Sequence, residues 1–581
     1  MQRPIAFAAL LCMWLASCAN LRVDIPEYEA PGKLVRLEQG WTEQEWLQFH
    51  HTPQGTRLAR YEWFMALEQP CLSLFRCDPF SDPVYLARFG FLASAKDPAL
   101  NPGGLPIGFA RQEDFTDPET GESYPVVGLT CAACHTGELR YGEYAVRIEG
   151  GPAVVELALF QRALGLAMVL TQKIPGRFGR FADRVLGENA SEDARAGLEE
   201  QFDRALAAGL AERDTAESRK IYANPAGFAR TDALTRIGNQ VFAVDMKNDD
   251  NLAPANAAVC FPQIWDASWL SWVQYNSSIA DPLVRNIGEA LGVRAVVKLY
   301  GPDATEFKNS VHMPGLRLVE DLLAGPAPFE GLTSPRWPDV FPPLDPAKVA
   351  RGAELYQQHC AKCHLPPIEE LKADLVSEEP RYWWQNSLGV RLLQVRDIKV
   401  DFLGTDPLQA MDFLQRTADT GGLGKGRVSA AEGLRIVTEA IAQKFFETAG
   451  IAPEEQLAWR GRRDPKDPVV RAEPFYKARP LNGIWATAPF LHNGSVADLY
   501  ALLSPHEERP ATFWLGSKRL DPKKVGYDVS ELEGGYLFDT SRPGNSNEGH
   551  EFRDGAQGNG VIGPPLAPDD RWALVEYLKS I

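Results

Sequence analysis

The sequence predicts a mainly α-helical protein of two domains, with long loops and few strands. Three observations carry that expectation. Long helical patterns run through residues 30–330 among irregular Gly- and Pro-rich stretches. A breaker-rich connector from Pro326 to Pro346, holding Pro335, Pro338, Pro342 and Pro343, divides the chain. The pattern C-x-x-C-H occurs once on each side of that divide, at Cys131–His135 and Cys360–His364.

The composition sets outer limits. The chain has 581 residues, of which 45% are hydrophobic and 24% charged, close to ordinary globular usage. That length allows two or more domains with ample core. It argues against wholesale disorder, a collagen-like repeat or a helical channel. Lys and Arg number 60 against 77 Asp and Glu, a net charge of −17. Nucleic acid is a poor partner for such a chain, because phosphate contacts need clustered cations. No Gly-rich phosphate loop opens a helix in the required context.

The N-terminus reads as an export signal. Arg3 supplies a short positive start, and Ile5 to Leu15 is an apolar run too short to span a bilayer. It ends in Leu15-Ala16-Ser17-Cys18, which resembles a bacterial lipoprotein box and implies acylation of Cys18 as the mature N-terminus. Plain signal cleavage and an uncleaved anchor are the alternatives. The expected arrangement is residues 1–17 as signal, 18–60 as a lead-in, 61–335 as a first domain and 336–581 as a second. A soluble body tethered by lipid in the periplasm or at the outer cell surface follows. In that oxidising space Cys71 and Cys77 are candidates for a small disulfide loop, against two separate buried thiols. Cys260 reads as an inert core residue.

Further along, Val154 to Leu170 is apolar but interrupted by Glu156, Gln161 and Arg162, a buried helix and not a membrane span. Residues Ser191 to Ile221 are charged and read as a solvated helix pair. The second region opens with Asp345-Pro346, an N-cap with proline at the first helical position. Val349, Gly352, Ala353 and Tyr356 then share one helical face. A terminal helix follows Asp569 and Asp570, with Leu574, Tyr577, Leu578 and Ile581 on one side.

C-x-x-C-H is the attachment signature of c-type haem. One turn of backbone presents two thiols to the two vinyl groups of a porphyrin, and the adjacent imidazole binds the iron. A shared zinc would require cysteine pairs 229 residues apart to converge. Two covalent haem c groups are therefore expected, on Cys131, Cys134 and His135 and on Cys360, Cys363 and His364. The first helix of the second region ends at Cys360, which resembles the class I cytochrome c fold. There the first and last helices cross at a small residue and an aromatic. The first motif belongs to a more elaborated haem domain.

The sixth ligand decides what each haem does. Between His135 and His312 there is no histidine, and only Met168 and Met246 carry thioethers. The first haem thus lacks an obvious distal ligand and reads as open or weakly ligated. For the second, the candidates are His550 in its Asn- and Gly-rich loop, His492, His506 and Met411; His550 is the first choice.

The stretch from Arg479 to Ser495, with Thr487-Ala488-Pro489-Phe490-Leu491-His492-Asn493-Gly494-Ser495 at its end, resembles the signature block of the bacterial dihaem cytochrome c peroxidase and MauG superfamily. The run Asn545 to His550 followed by Glu551-Phe552 looks closer to its exported rubber-oxygenase-like branch. The resemblance covers roughly residues 85–581. It implies a first haem that binds dioxygen and a second that is bis-histidine, with His135 open and His364 paired to His550. In the peroxidases the counterpart of His492 lies near the second haem without ligating it. A calcium ion between the domains, as in some relatives, is assigned to no residue. Trp265, Trp269 and Trp272, spaced i, i+4, i+7 on an expected helix, either carry charge between haems, wall the first distal pocket or form a core stripe. Asp245 and Asp249 are weak candidates for the acid/base that a peroxidase needs.

The expected function is an exported dihaem oxidoreductase using dioxygen or hydrogen peroxide at the first haem, with electrons moved by the second. Oxidative cleavage of an apolar substrate is its boldest form. A non-catalytic electron-transfer cytochrome is the alternative, and the substrate or donor protein is not given by the sequence.

Overall fold

A computed structural model describes residues 23–581. The signal segment and Cys18 lie outside the described residues. The architecture is mixed, 38% helix and 15% strand, which corrects the mainly α expectation. The strands form nine sheets of only two or three strands among the described residues. Strands of two to six residues are too short for alternation to register in a sequence window.

Two of these sheets position the first C-x-x-C-H motif. Val126–Leu129 is the central strand between Ala59–Arg60 and Phe109–Gln112. It runs directly into the 3-10 turn Cys131–Ala133. The chain leaves through Thr136–Tyr141, which pairs antiparallel with Tyr144–Glu149; that strand in turn pairs parallel with Lys33–Arg36. The motif is thus held taut between a strand of each sheet. Behind it stands the helix Glu43–His51, opened by a Thr42/Glu45 capping box. Its His50 carbonyl accepts from the Gly108 amide at 3.2 Å and the Thr130 hydroxyl at 3.0 Å. Gly108 is obligatory: φ is +90°, and a Cβ there would lie 2.3 Å from Ala133 Cα.

The second motif rests on a helix crossing. Pro346–His359 is capped by Asp345, whose carboxylate accepts from Ala347 and Lys348, and it ends at Cys360. The terminal helix Pro568–Ser580 packs across it. The contact falls at Gly352, where a Cβ would meet the Ala573 carbonyl oxygen at 2.1 Å. Tyr356 and Tyr577 meet alongside at 5.2 Å, and the Tyr356 hydroxyl donates to Leu365 O at 2.6 Å, fixing the backbone just past His364.

The connector does not separate independent cores. One hydrophobic cluster draws Val146, Ile148 and Leu332 together with Tyr356, Trp485 and Leu574. Trp337 and Phe341, in the connector itself, pack edge-on against Trp485. The apolar run after Val154 is the helix Leu157–Lys173 on a second cluster. No helix among the described residues is long and apolar enough to cross a membrane. Residues Glu192–Ser218 form one helix, not a pair, because Gly209 in its middle does not interrupt the backbone ladder.

Candidate haem sites

His364 and His550 face each other with ring centroids 6.1 Å apart and planes at 65°. A metal–imidazole bond of about 2 Å on each side, plus the rings' own half-width, gives about 6 Å between centroids. The spacing therefore suits an iron between the two rings. His364 Nδ1 lies 3.0 Å from the Arg479 carbonyl oxygen, which can only accept, so Nδ1 carries the proton and Nε2 keeps its lone pair for a metal. His550 Nδ1 is buried with no hydrogen-bond partner. Cys360 and Cys363 are free thiols at the helix end beside it.

The loop that carries His550 is built, not loose. Arg509 donates to the carbonyls of Asn547 at 2.5 Å, Gly549 at 2.9 Å and His550 at 3.3 Å. His506 lies 3.0 Å from the Asn547 side chain, so it braces this loop. His550 itself sits at φ +51°, a conformation the clamp sustains. His492 stacks on Tyr476 at 4.1 Å, and a hydrogen bond ties it to the Asp406 backbone. Met411 lies half-buried on the short helix Leu408–Gln415.

The first motif opens onto a different environment. Cys131, Cys134 and His135 line a cavity that opens to solvent, with about 1490 Å³ of atom-free space out to its mouth. His135 Nδ1 is 2.8 Å from the Pro262 carbonyl oxygen, leaving Nε2 free. Burial lowers the imidazole to about 4, so it is the neutral, ligating form. Cys131 is pushed up to about 12, chiefly by burial and then by Glu289, and its thiol is 3.4 Å from Gln54 Oε1. No methionine and no second histidine lines this cavity. Met246 is buried among Leu and Phe side chains, Met168 packs beside the second cluster, and His312 caps the helix Met313–Ala324 by accepting from Gly315.

Two walls of the cavity carry charge. The strand Phe475–Ala478 turns Tyr476 and Ala478 into the core, so Lys477 lies on the opposite face, with Arg479 two residues on. Both line the cavity, and neither makes an ion pair among the described residues. Burial, then Arg479, lowers Lys477 to about 7, and Arg479 Nη2 has no partner. Unpaired, half-buried cations beside a C-x-x-C-H motif suit the propionates of a haem. The second wall is the helix Pro282–Gly292, capped by Asp281. Leu283, Ile287 and Leu291 join the core, while Arg285, Asn286 and Glu289 line the cavity. Gln274 donates to Glu289 at 3.0 Å. Burial raises the Glu289 carboxyl above its ordinary range, against the opposing pull of Arg285.

Glu289 was not among the sequence candidates for an acid/base. Asp245, which was, is buried against Gln240 away from the cavity, and Asp249 lies in a surface 3-10 turn. The available signal was three polar residues in the otherwise apolar helix 282–292.

The tryptophan helix is also corrected. Only Ala267–Trp269 forms a 3-10 turn, because Asp266 takes φ +65° and Gln274 the same value further on. Trp265 alone lines the cavity, its indole N–H donating to Asn482 O at 3.0 Å. Trp269 donates to Ala324 O, and Trp272 lies under the Arg471 guanidinium at 3.9 Å. Cys71 and Cys77 are joined in a disulfide. Among the described residues no group of three or more His, Cys, Asp or Glu could hold a metal ion, so no calcium site emerges from side chains of those types.

The chain is 44% identical over 579 residues to the uncharacterized protein y4iJ of Sinorhizobium fredii, covering 96% of this chain and 95% of that one. It belongs to the y4iJ family. A second protein of that organism, the uncharacterized y4iM, is 25% identical over 373 residues, 62% of this chain and 73% of its own. Residues 475–514 match the family described as RoxA-like, cytochrome c-like. That match begins at the strand carrying Lys477 and takes in Arg479, His492 and Arg509. The y4iJ-family chain thus has a cytochrome c-like relationship in the segment that supplies one wall of the cavity and the clamp on the His550 loop.

Proposed function

We propose that this chain is an exported, lipid-anchored dihaem c oxidoreductase with two unlike haems. The N-terminal haem, on Cys131, Cys134 and His135, would supply a redox centre open to dioxygen or hydrogen peroxide. The C-terminal haem, on Cys360, Cys363, His364 and His550, would be low-spin and store or relay electrons. The observation that carries the reading is an asymmetry. His364 has an imidazole opposite it at 6.1 Å, whereas the cavity at His135 has neither a second histidine nor a methionine in its lining. The RoxA-like, cytochrome c-like match supports haem chemistry in general.

The surrounding residues suit oxidation of an apolar molecule. Ile237, Phe261, Ile264, Trp265, Leu270 and Val273 wall the cavity. They exclude water and offer a hydrocarbon no hydrogen bond, so such a substrate would be held by burial alone. Oxidative cleavage of a carbon–carbon double bond, with both atoms of dioxygen entering the products, needs no external reductant. Glu289 favours a second reading, peroxide reduction. A half-buried carboxyl with a raised pKa holds a proton that peroxide cleavage consumes, with electrons from a donor protein. An electron carrier with both irons six-coordinate is the remaining alternative.

Carbon monoxide titration of the reduced protein, followed optically, together with EPR of the oxidised protein, tests the asymmetry. One ligand-accessible high-spin haem and one inert low-spin haem are expected. Two inert haems would overturn the enzyme reading in favour of the carrier. Oxygen uptake with an apolar olefin, against peroxide consumption with a reduced donor, then separates the two chemistries.

A further inference from the structure

We propose that the disulfide-closed loop Cys71–Cys77 is a membrane-insertion finger whose partner is the phospholipid surface that holds the chain; this rests on the lipid-anchored reading above. The loop is Cys71-Leu72-Ser73-Leu74-Phe75-Arg76-Cys77. Its apolar side chains point outward, with Leu72 53%, Leu74 66% and Phe75 84% exposed. Three adjacent large apolar side chains at one tip differ from the scattered exposure of an ordinary surface.

The outward presentation is enforced. Arg177, fully buried, donates to the carbonyls of Glu68 at 2.6 Å, Gln69 at 2.8 Å and Cys71 at 3.1 Å. Arg180 donates to the Phe75 carbonyl at 3.4 Å and to Glu68, while Glu68 accepts from the Cys77 amide at 3.3 Å. These contacts and the disulfide hold the loop ends at the protein surface, so the tip cannot fold back onto the core. Arg76, beside the tip, is exposed and unpaired. On a body of net charge −17, a free cation at this point suits a phosphate headgroup.

The tether and the loop share one end of the molecule. Val23, the first described residue, packs on the cluster that contains Phe80 and Phe181. Arg88 donates to the Ile25 and Pro26 carbonyls and closes the helix Pro83–Ala87. From that helix Tyr85 meets Phe80 at 5.5 Å, and Phe80 donates its amide to Leu67 at the base of the loop. Cys18 precedes Val23 by five residues, a reach of about 18 Å at most. A lipid on Cys18 would therefore hold this end against the bilayer, where the loop adds a second, apolar contact that fixes how the body lies on the surface.

The test uses the full-length exported protein reconstituted in vesicles of phosphatidylethanolamine and phosphatidylglycerol, with haem absorbance as the folding control. Phe75→p-benzoylphenylalanine, photolysed, should leave phospholipid adducts on the peptide containing residues 71–77. The same label at the exposed Val376 should leave none. In a Cys18→Ser background that removes the lipid, Leu74→Ser/Phe75→Ser should leave the vesicles at least about tenfold faster than the protein with the intact loop. Adducts to a neighbouring protein copy, or no adducts at position 75, overturn the proposal. The mass of the Cys18 peptide separates the two readings. Acylated Cys18 without lipid at position 75 removes the finger alone; lipid at position 75 beside unacylated Cys18 removes the anchor alone.

Discussion

Arg479 serves both candidate haem sites at once: its carbonyl oxygen accepts the Nδ1 hydrogen of His364 at 3.0 Å, and its side chain lines the cavity of His135. Pro262 plays the same carbonyl role for His135 at 2.8 Å. The segments that follow Pro262 and Arg479 are tied together by Trp265 N–H to Asn482 O and by Asn482 Nδ2 to Asp266 at 2.7 Å. Removing the guanidinium while keeping the carbonyl should therefore act unequally. Arg479→Gln takes a cation from beside the first haem, which favours the oxidised iron. Its midpoint should fall by roughly 60 mV, a tenfold change in a one-electron equilibrium. The second haem should shift less, and spectroelectrochemical titration resolves both.

His550→Gly should convert the second haem from low-spin to high-spin while leaving the first unchanged. Free imidazole should restore the low-spin spectrum, because the clamp from Arg509 holds the emptied loop in place. EPR at low temperature, with and without imidazole, reads the outcome. Two unchanged signals would remove His550 from the ligand set.

Glu289→Gln removes the proton donor in the cavity wall and keeps the shape. If peroxide is the oxidant, kcat should fall about 100-fold or more with KM nearly constant. In wild type, activity should decline as pH rises through the raised pKa of Glu289, since the carboxyl is needed in its protonated form. The variant should lack that limb of the pH profile.

Asp266 predicts a pH effect on stability. Burial raises its pKa from 3.8 to about 6, against the Asn482 hydrogen bond and the charge of Arg479. The folded state therefore binds this proton more tightly than the unfolded chain. Its contribution is complete below about pH 4 and is lost as pH rises to about 6, amounting to about 3 kcal/mol. Asp266→Asn tolerates the φ of +65° and stays neutral. Its thermal midpoint should exceed that of wild type at pH 8 and match it near pH 4.

The parts of the site legible in the sequence were those whose chemistry is local. Cys360 to His364 follows a helix whose cap, small residue and aromatic all sit within one stretch, so the crossing at Gly352 could be read directly. His550 could be proposed because glycine and asparagine around it mark a turn. The cavity wall could not be read this way. Lys477 and Arg479 become one face only because the strand pairs with Arg396–Lys399, far away in the chain. Glu289 faces the cavity because its helix buries the opposite side, which the polar residues alone do not reveal. The tryptophans misled for the converse reason: helical spacing was present, but the left-handed turn at Asp266 broke the backbone that would have given it meaning.

The wall of the His135 cavity that carries Lys477 and Arg479 arrives late in the chain. Cys131 and its two sheets are made from the first 150 residues, yet the pocket is closed by residues 477–482, more than 300 positions downstream. A polypeptide cut at the proline connector would leave Cys131, Cys134 and His135 with one side of their cavity bare to solvent. The candidate site at His135 is consequently complete only when residues from both sides of the connector are packed together.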